Sequence, residues 1–318
     1  MDMRKLCLGL SVAAMAMLVA CGSDSGTEVS SELPPGFSKP SSERRSSDGG
    51  SDNSGESSAS GNKVSSAAEG TSSSSAQYSS SSKNVVLVDP STVVTGTMTD
   101  ERDGQTYKTV KIGNQTWMAE NLNYAYTGVP YRFYDKGFDE TYTSDSTSWC
   151  YGDDPANCDT YGRLYTWAAA MDSVGEWSTN GKECGYNKTC SPTYPVRGIC
   201  PQGWHLPSYD EWEALIVAVD GSITEYGVNT AGAKLKATSG WNNSGNGTDA
   251  FDFSALPAGI MADAGHYLRL EGSGTLFWSS TEDDGDFAYR MYLDSDVDLA
   301  SLYSSFKEFV LSVRCIKD

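Results

Sequence analysis

The chain has 318 residues and a formal net charge of −19. That excess of acid argues against nucleic acid or anionic phosphates as partners, because surfaces that bind polyanions are built from clustered Lys and Arg. Composition shifts twice along the chain, from a short apolar start to a long serine-rich stretch and then to a remainder rich in Tyr, Trp and Gly.

Residues 1–20 read as a secretory signal peptide. Arg4 and Lys5 supply the basic start, and an apolar run follows over 6–20, broken only by Gly9 and Ser11. The run is about 15 residues, short of the roughly 20 that a stable membrane-spanning helix needs. It ends in Leu18-Val19-Ala20-Cys21, which resembles the lipobox of bacterial lipoproteins. That resemblance implies cleavage before Cys21 and acylation of its thiol and new amino group; several acyl chains on one residue exceed the threshold for stable anchoring. The alternative is an ordinary signal peptide whose removal leaves Cys21 free. Gly22 offers no inner-membrane retention signal, which favours the outer membrane.

Residues 21–92 are expected to form a lipid-anchored tether. Serine dominates, with runs of that residue alone at 72–75 and 79–82, and aliphatic and aromatic side chains are nearly absent up to Lys83. Such a stretch buries too little apolar surface to offset its conformational entropy, so disorder is expected. A flexible linker of about 70 residues has a root-mean-square reach of roughly 45–50 Å.

Residues 93–318 have the composition of a folded domain, and about 225 residues suffice for a single core. Of the eight cysteines, Cys7 leaves with the signal and Cys21 carries lipid. Cys150, Cys158, Cys184, Cys190, Cys200 and Cys315 remain, and an even number in an oxidising compartment reads as three disulfides. Six cysteines allow 15 pairings. Locality suggests Cys150–Cys158 and Cys184–Cys190 around turn residues, which leaves Cys200–Cys315. A zinc site is the rival reading, weakened by the lack of any C-x-x-C pair.

The pattern of segments points to an α+β domain. Gly113-Asn114 is a hairpin turn signal between strands at 107–112 and 115–119. Residues 161–171 read as a helix with Leu164, Trp167, Ala168 and Met171 on one face. A second helix starts at the capping box Ser208-Tyr209-Asp210-Glu211 and buries Trp212, Leu215, Ile216 and Val219. A short helical stretch is expected at 231–237, then strands at 274–280, 287–293 and 309–316. In the last of these, Phe309, Leu311, Val313 and Cys315 alternate with Val310, Ser312 and Arg314, the pattern of a half-buried strand.

Five segments together carry a family resemblance. They are Gly113-Asn114-Gln115-Thr116-Trp117-Met118-Ala119-Glu120-Asn121-Leu122-Asn123, Tyr161-Gly162-Arg163-Leu164-Tyr165-Thr166-Trp167, Cys200-Pro201-Gln202-Gly203-Trp204-His205-Leu206-Pro207-Ser208, Phe277-Trp278-Ser279-Ser280-Thr281-Glu282 and Ser312-Val313-Arg314-Cys315. In that order they resemble the Fibrobacter succinogenes major paralogous domain, a family of surface lipoproteins. The family is similar in turn to the C-type lectin-like and formylglycine-generating-enzyme superfamily, the shared piece running from Leu206 to Glu213. The resemblance implies a C-type lectin-like fold: two main helices on small, twisted antiparallel sheets, with a loop region carrying any ligand site.

Candidate chemistry is sparse. The superfamily's copper-dependent oxidation needs two free cysteines near the C-terminus, whereas only Cys315 lies there and it is expected to pair with Cys200. His205 and His266 are the only histidines, and His205, between Trp204 and Leu206, suits a structural role. Asp294-x-Asp296-x-Asp298 opens like an EF-hand loop, but Leu299 and Ser305 stand where Gly and a bidentate Glu are required. The loop at 242–249 offers oxygens for calcium, with Asn246 and Asp249 as candidate ligands; the plainer reading is a turn-rich surface loop. The Glu-Pro-Asn and Gln-Pro-Asp triplets of sugar-binding lectins are absent. Trp241, Asn243, Asn246, Trp278 and Tyr289 are the candidate ligand-binding residues; the plainer reading of the aromatic ones is that most are core or half-buried. The expected function is a non-enzymatic binding or adhesion module at the cell surface, for polysaccharide or a surface protein. The alternatives are a display protein without a small ligand and a formylglycine-type oxidase.

Overall fold

A computed structural model describes residues 87–127, 148–220, 230–262 and 267–318, together with the backbone of two strands between 131 and 143. The expected signal peptide, Cys21 and nearly all of the tether lie outside the described residues, as does His266. Among the described residues no helix is long and apolar enough to cross a membrane.

Strand β1 (Val94–Thr99) pairs antiparallel with β2 (Thr106–Ile112), which returns as β3 (Gln115–Met118). Gly113 takes φ +60° in the connecting turn, the left-handed conformation that a two-residue hairpin demands. β4 (Tyr131–Tyr134) and β5 (Glu140–Thr143) form a separate two-stranded sheet, and β6 (Ser148–Trp149) follows.

The helix expected over 161–171 does not form. Helix α1 (Pro155–Tyr161) stops at Gly162, strand β7 (Leu164–Tyr165) intervenes, and α2 (Trp167–Ala170) is a single turn. Gly162 is the cause. It sits at φ +74°, and a Cβ there would lie 2.8 Å from Asn121 Cβ and 2.9 Å from two carbonyl oxygens. The chain must cross residues 121–122 closely at this point, which a continuous helix could not do. Thr166 then caps α2, its hydroxyl accepting from Ala169 N at 3.2 Å.

After β8 (Trp204–His205) comes α3 (Tyr209–Asp220), the one long helix among the described residues. The capping box is formed in full: Ser208 N and Oγ both donate to Glu211 Oε2, at 2.8 and 2.9 Å, and Glu211 N donates back to Ser208 Oγ. Its buried residues are Trp212, Leu215, Ile216 and Val219. The chain continues through α4 (Ala231–Leu235), β9 (Ala258–Ala262), β10 (Tyr267–Glu271), β11 (Gly274–Glu282), β12 (Phe287–Asp294), β13 (Ala300–Phe306), β14 (Leu311–Ser312) and β15 (Ile316–Lys317).

One sheet runs β1-β2-β3-β15-β8 and the other β10-β9-β11-β14-β7-β6, with β12 and β13 added beside β11. Neighbouring residues of β11 point into different cores: Phe277 joins the cluster under α3 with Trp117, Trp212 and Phe253, whereas Trp278 joins the one with Tyr165, Trp167 and Leu311. The fold is thus α+β, with a few helices on two sheets.

Residues 309–316 do not form one half-buried strand. β14 lies between β11 and β7, and β15 between β3 and β8, so the segment bridges both sheets. Every residue from Val310 to Ile316 is buried, including Ser312 and Arg314. Alternation misleads here because neighbours cover both faces.

Three disulfides join Cys150 to Cys158, Cys184 to Cys190, and Cys200 to Cys315. The first two close short loops. The third spans 115 residues and ties the segment before β8 to the bridge between the sheets.

Candidate functional site

Of the residues singled out for binding, Trp241, Asn243 and Asn246 share one loop, Trp278 lies on β11 and Tyr289 on β12. Trp278 is 0% exposed, and its indole donates to Tyr165 O at 2.8 Å. Trp241 is 5% exposed, and its indole donates to Ala255 O at 3.0 Å. Both rings are filled by core, so neither presents a face on which a sugar could stack. Tyr289 is half-buried and meets Tyr209 edge-on at 4.9 Å.

The loop at 242–249 folds onto the scaffold. Gly245 and Gly247 lie so close to it that a Cβ would come within 2.3 Å of Ser295 O and 2.2 Å of Lys236 O. Asn243 is exposed and donates to Asp296 Oδ1 at 3.2 Å, while Asn246 Oδ1 accepts from Trp241 N at 3.0 Å. Both carboxylate oxygens of Asp249 accept from Ser254, through N at 2.7 Å and Oγ at 2.6 Å. Asn246 and Asp249 thus hold their own loop. Among the described residues no group of three or more His, Cys, Asp or Glu is placed to hold a metal ion.

Buried cations are the feature that sequence reasoning missed. Lys236 Nζ donates to Asp294 O at 2.8 Å and Val297 O at 3.0 Å. Lys307 Nζ donates to the carbonyls of Lys188, Asp284 and Gly285 and to Glu282 Oε1, with the Trp167 ring 4.5 Å away. Arg314 donates to Asn121 Oδ1 through Nε and Nη2, at 3.1 and 2.8 Å, and to Phe253 O through Nη1. Its guanidinium lies over the rings of Phe253 and Phe277. Arg102 chelates Asp100, reaches Ile199 O at 2.8 Å and lies over Tyr124. Each such group collects the carbonyls of irregular segments that no sheet satisfies, which buried backbone requires. Arg314 lies in the Ser-Val-Arg-Cys motif, but nothing in the local pattern of the others separates them from ordinary surface charges.

Arg290 departs from this rule. It lies on β12 opposite Trp278 of β11 and Tyr303 of β13 and is only 2% exposed. Nε donates to Ser305 Oγ at 3.0 Å, and the guanidinium carbon lies 5.1 Å from the Tyr292 ring centroid and 5.7 Å from that of Tyr303. Nη1 is buried and meets no hydrogen-bond partner among the described residues. Burial pulls the guanidinium pKa down to about 10, so the group stays charged at neutral pH.

His205 is a further ionisable group held by partners on both sides. Nδ1 lies 2.7 Å from Asp318 Oδ1 and Nε2 2.8 Å from Glu211 Oε1. Both contacts are hydrogen bonds only when both nitrogens carry protons, so the imidazolium is the paired form. With both nitrogens occupied, the ring has no free one to act as a base; it latches the start of α3 to β8 and Asp318. Burial alone would lower the imidazole pKa, but the two carboxylates outweigh it and the net shift is upward from 6.5. For Glu211 burial acts upward, and His205 and Ser208 outweigh it to leave a value below 4.5. The stability due to His205 is therefore full below 6.5 and lost as pH rises through its raised folded-state value. That due to Glu211 is full above 4.5 and lost as pH falls through its depressed value. The melting temperature should fall as pH rises above 6.5 through the raised His205 value, and His205→Gln should flatten that limb. An unchanged limb in the variant would remove His205 as its source.

Residues 110–317 match the family model of the Fibrobacter succinogenes major domain. No curated protein matches the chain, and no solved structure does. The matched span runs from within β2 into β15 and takes in all three disulfides, nearly all of the two large cores and every buried cation described above except Arg102. The chain belongs to the Fibrobacter succinogenes major domain family.

Proposed function

We propose that the protein is an exported lipoprotein, anchored through Cys21 in the bacterial outer membrane, whose folded part is a non-enzymatic, C-type lectin-like module that binds polysaccharide at the cell surface. The binding reading rests on the outer hairpin. β13 pairs with β12 alone among the described strands and holds two aromatic rings toward solvent, Tyr303 at 58% and Phe306 at 37% exposure. Phe287 stands opposite Phe306 with ring centroids 4.2 Å apart. Three positions apart, Tyr303 and Phe306 face opposite sides of the strand, and the exposed Tyr303 ring is the one a sugar ring would stack on. Export is supported by the three disulfides, which persist in oxidising compartments. The non-enzymatic reading is supported by two facts: Cys315 is bonded to Cys200, and both nitrogens of His205 are occupied.

The test uses the full chain carrying Cys21→Ser, so that it stays soluble, in pull-downs on insoluble polysaccharides with calcium or with chelator. Retention on at least one polysaccharide is expected, reduced severalfold by Tyr303→Ala. Absence of retention on every glycan, with and without calcium, contradicts the reading. Incorporation of labelled palmitate, abolished by Cys21→Ser, tests the anchor.

A further inference from the structure

Among the described residues, Arg102, Lys236, Lys307 and Arg314 are buried cations ligated by carbonyls, an amide or carboxylates, and each holds a loop. Arg290 alone is left with one hydroxyl contact and an unpartnered, buried Nη1 among the described residues. Such a group costs more folded than it returns, since a desolvated guanidinium donor without an acceptor loses its full hydration. Its surroundings are polar toward the edge strand. Ser301, Tyr303 and Ser305 alternate along β13 on the side of the sheet that carries Arg290, and Tyr292 flanks the guanidinium from β12. The Tyr303 ring centroid lies 5.7 Å from the guanidinium carbon, and as a largely exposed side chain on an edge strand the ring can turn without disturbing the core.

We propose that Arg290 receives the carboxylate of a uronic acid unit, borne on an otherwise neutral sugar chain, with Tyr303 turning to serve as a stacking platform. This rests on the polysaccharide-binding reading and names its ligand class. A planar guanidinium takes a carboxylate through two parallel charge-assisted bonds, which no neutral sugar hydroxyl can match. The net charge of −19 repels a densely charged polyanion, so sparse acidic units on a neutral chain suit this surface best. Peptides with acidic side chains share the carboxylate but lack a pyranose ring for Tyr303.

Titration calorimetry on the full Cys21→Ser chain compares three probes: a xylo-oligosaccharide bearing one glucuronic acid, the same oligosaccharide without it, and an acidic peptide of similar length. The acid-bearing sugar is expected to bind at least tenfold tighter than the other two. Arg290→Lys, which keeps the charge but loses the fork, and Tyr303→Ala, which is at the surface, should each remove most of that difference. A thermal melt of every variant reports folding separately. Equal binding of the two sugars overturns the assignment of Arg290 and leaves the binding module standing. Tighter binding of the peptide overturns the sugar assignment. Failure of both sugars to bind, together with no retention on any insoluble glycan, overturns both readings.

Discussion

Replacing both cysteines of the Cys200–Cys315 disulfide by alanine is expected to destabilise the domain by about 4–5 kcal/mol, the largest loss any single bridge here can give. The two residues are 115 positions apart, so opening the bridge frees a long loop in the unfolded chain. The other bridges span 8 and 6 residues, and each is expected to contribute about 2–2.5 kcal/mol on the same scale. Position adds to the effect. Cys315 lies in the bridge between the sheets, where its carbonyl accepts from Met118 N at 2.9 Å, and both sulfurs are buried in the core with Trp204 and Val313. For a domain of this size the loss corresponds to a fall in melting temperature of roughly 10–20 °C. Circular dichroism melts of the double variant under non-reducing conditions read it out. A fall no larger than that of Cys184→Ala/Cys190→Ala would contradict the assigned role.

The second large effect is expected at Arg314. Arg314→Met fills similar volume but removes the donors to Asn121 Oδ1 and Phe253 O. Asn121 in turn donates to Tyr161 O at 2.8 Å, beside the crossing at Gly162. Leaving these acceptors buried and unpaired is expected to cost about 3–5 kcal/mol. Urea unfolding monitored by tryptophan fluorescence is the suitable measurement, since Trp117 and Trp212 share a core cluster with Phe253. An unfolding midpoint within error of the parent chain would show that the guanidinium does not hold the loop at 251–255.

Where one local rule governs a segment, the sequence could be read well. The capping box and apolar stripe of α3, the turn at Gly113-Asn114 and the two short-loop disulfides each depend on neighbours in the chain, and Cys200–Cys315 is what those two pairs leave. Reading failed where a segment's surroundings come from far away. The apolar spacing at 164, 167, 168 and 171 mimics a helix, but the close crossing of Gly162 over residues 121–122 decides the outcome. Residues 310–316 alternate in sequence, yet partners on both sides bury polar and apolar members alike. Trp241 and Trp278 follow the plainer expectation for these aromatics, core rings whose indole N–H groups meet carbonyls inside.

The buried cations were the least legible feature. A Lys or Arg in a polar stretch reads as a solvated charge, and only the fold brings several carbonyls around it. Arg290 shows the limit most clearly. On β12 it alternates with Tyr289 and Met291, so a half-buried strand would face it to water. A second core cluster, containing Trp278 and Ala288 with Tyr292 packed against it, covers that face and takes it inside.

The proposed ligand role of Arg290 implies a division of labour in which Arg314 and its counterparts hold the fold and Arg290 does not. Side-by-side thermal melts of the parent chain, Arg314→Met and Arg290→Met test this most directly. The expected result is a large fall for Arg314→Met and an unchanged or higher melting temperature for Arg290→Met, because an unpaired buried charge is replaced by apolar packing. A fall for Arg290→Met as large as that for Arg314→Met would contradict the account and make Arg290 one more structural cation.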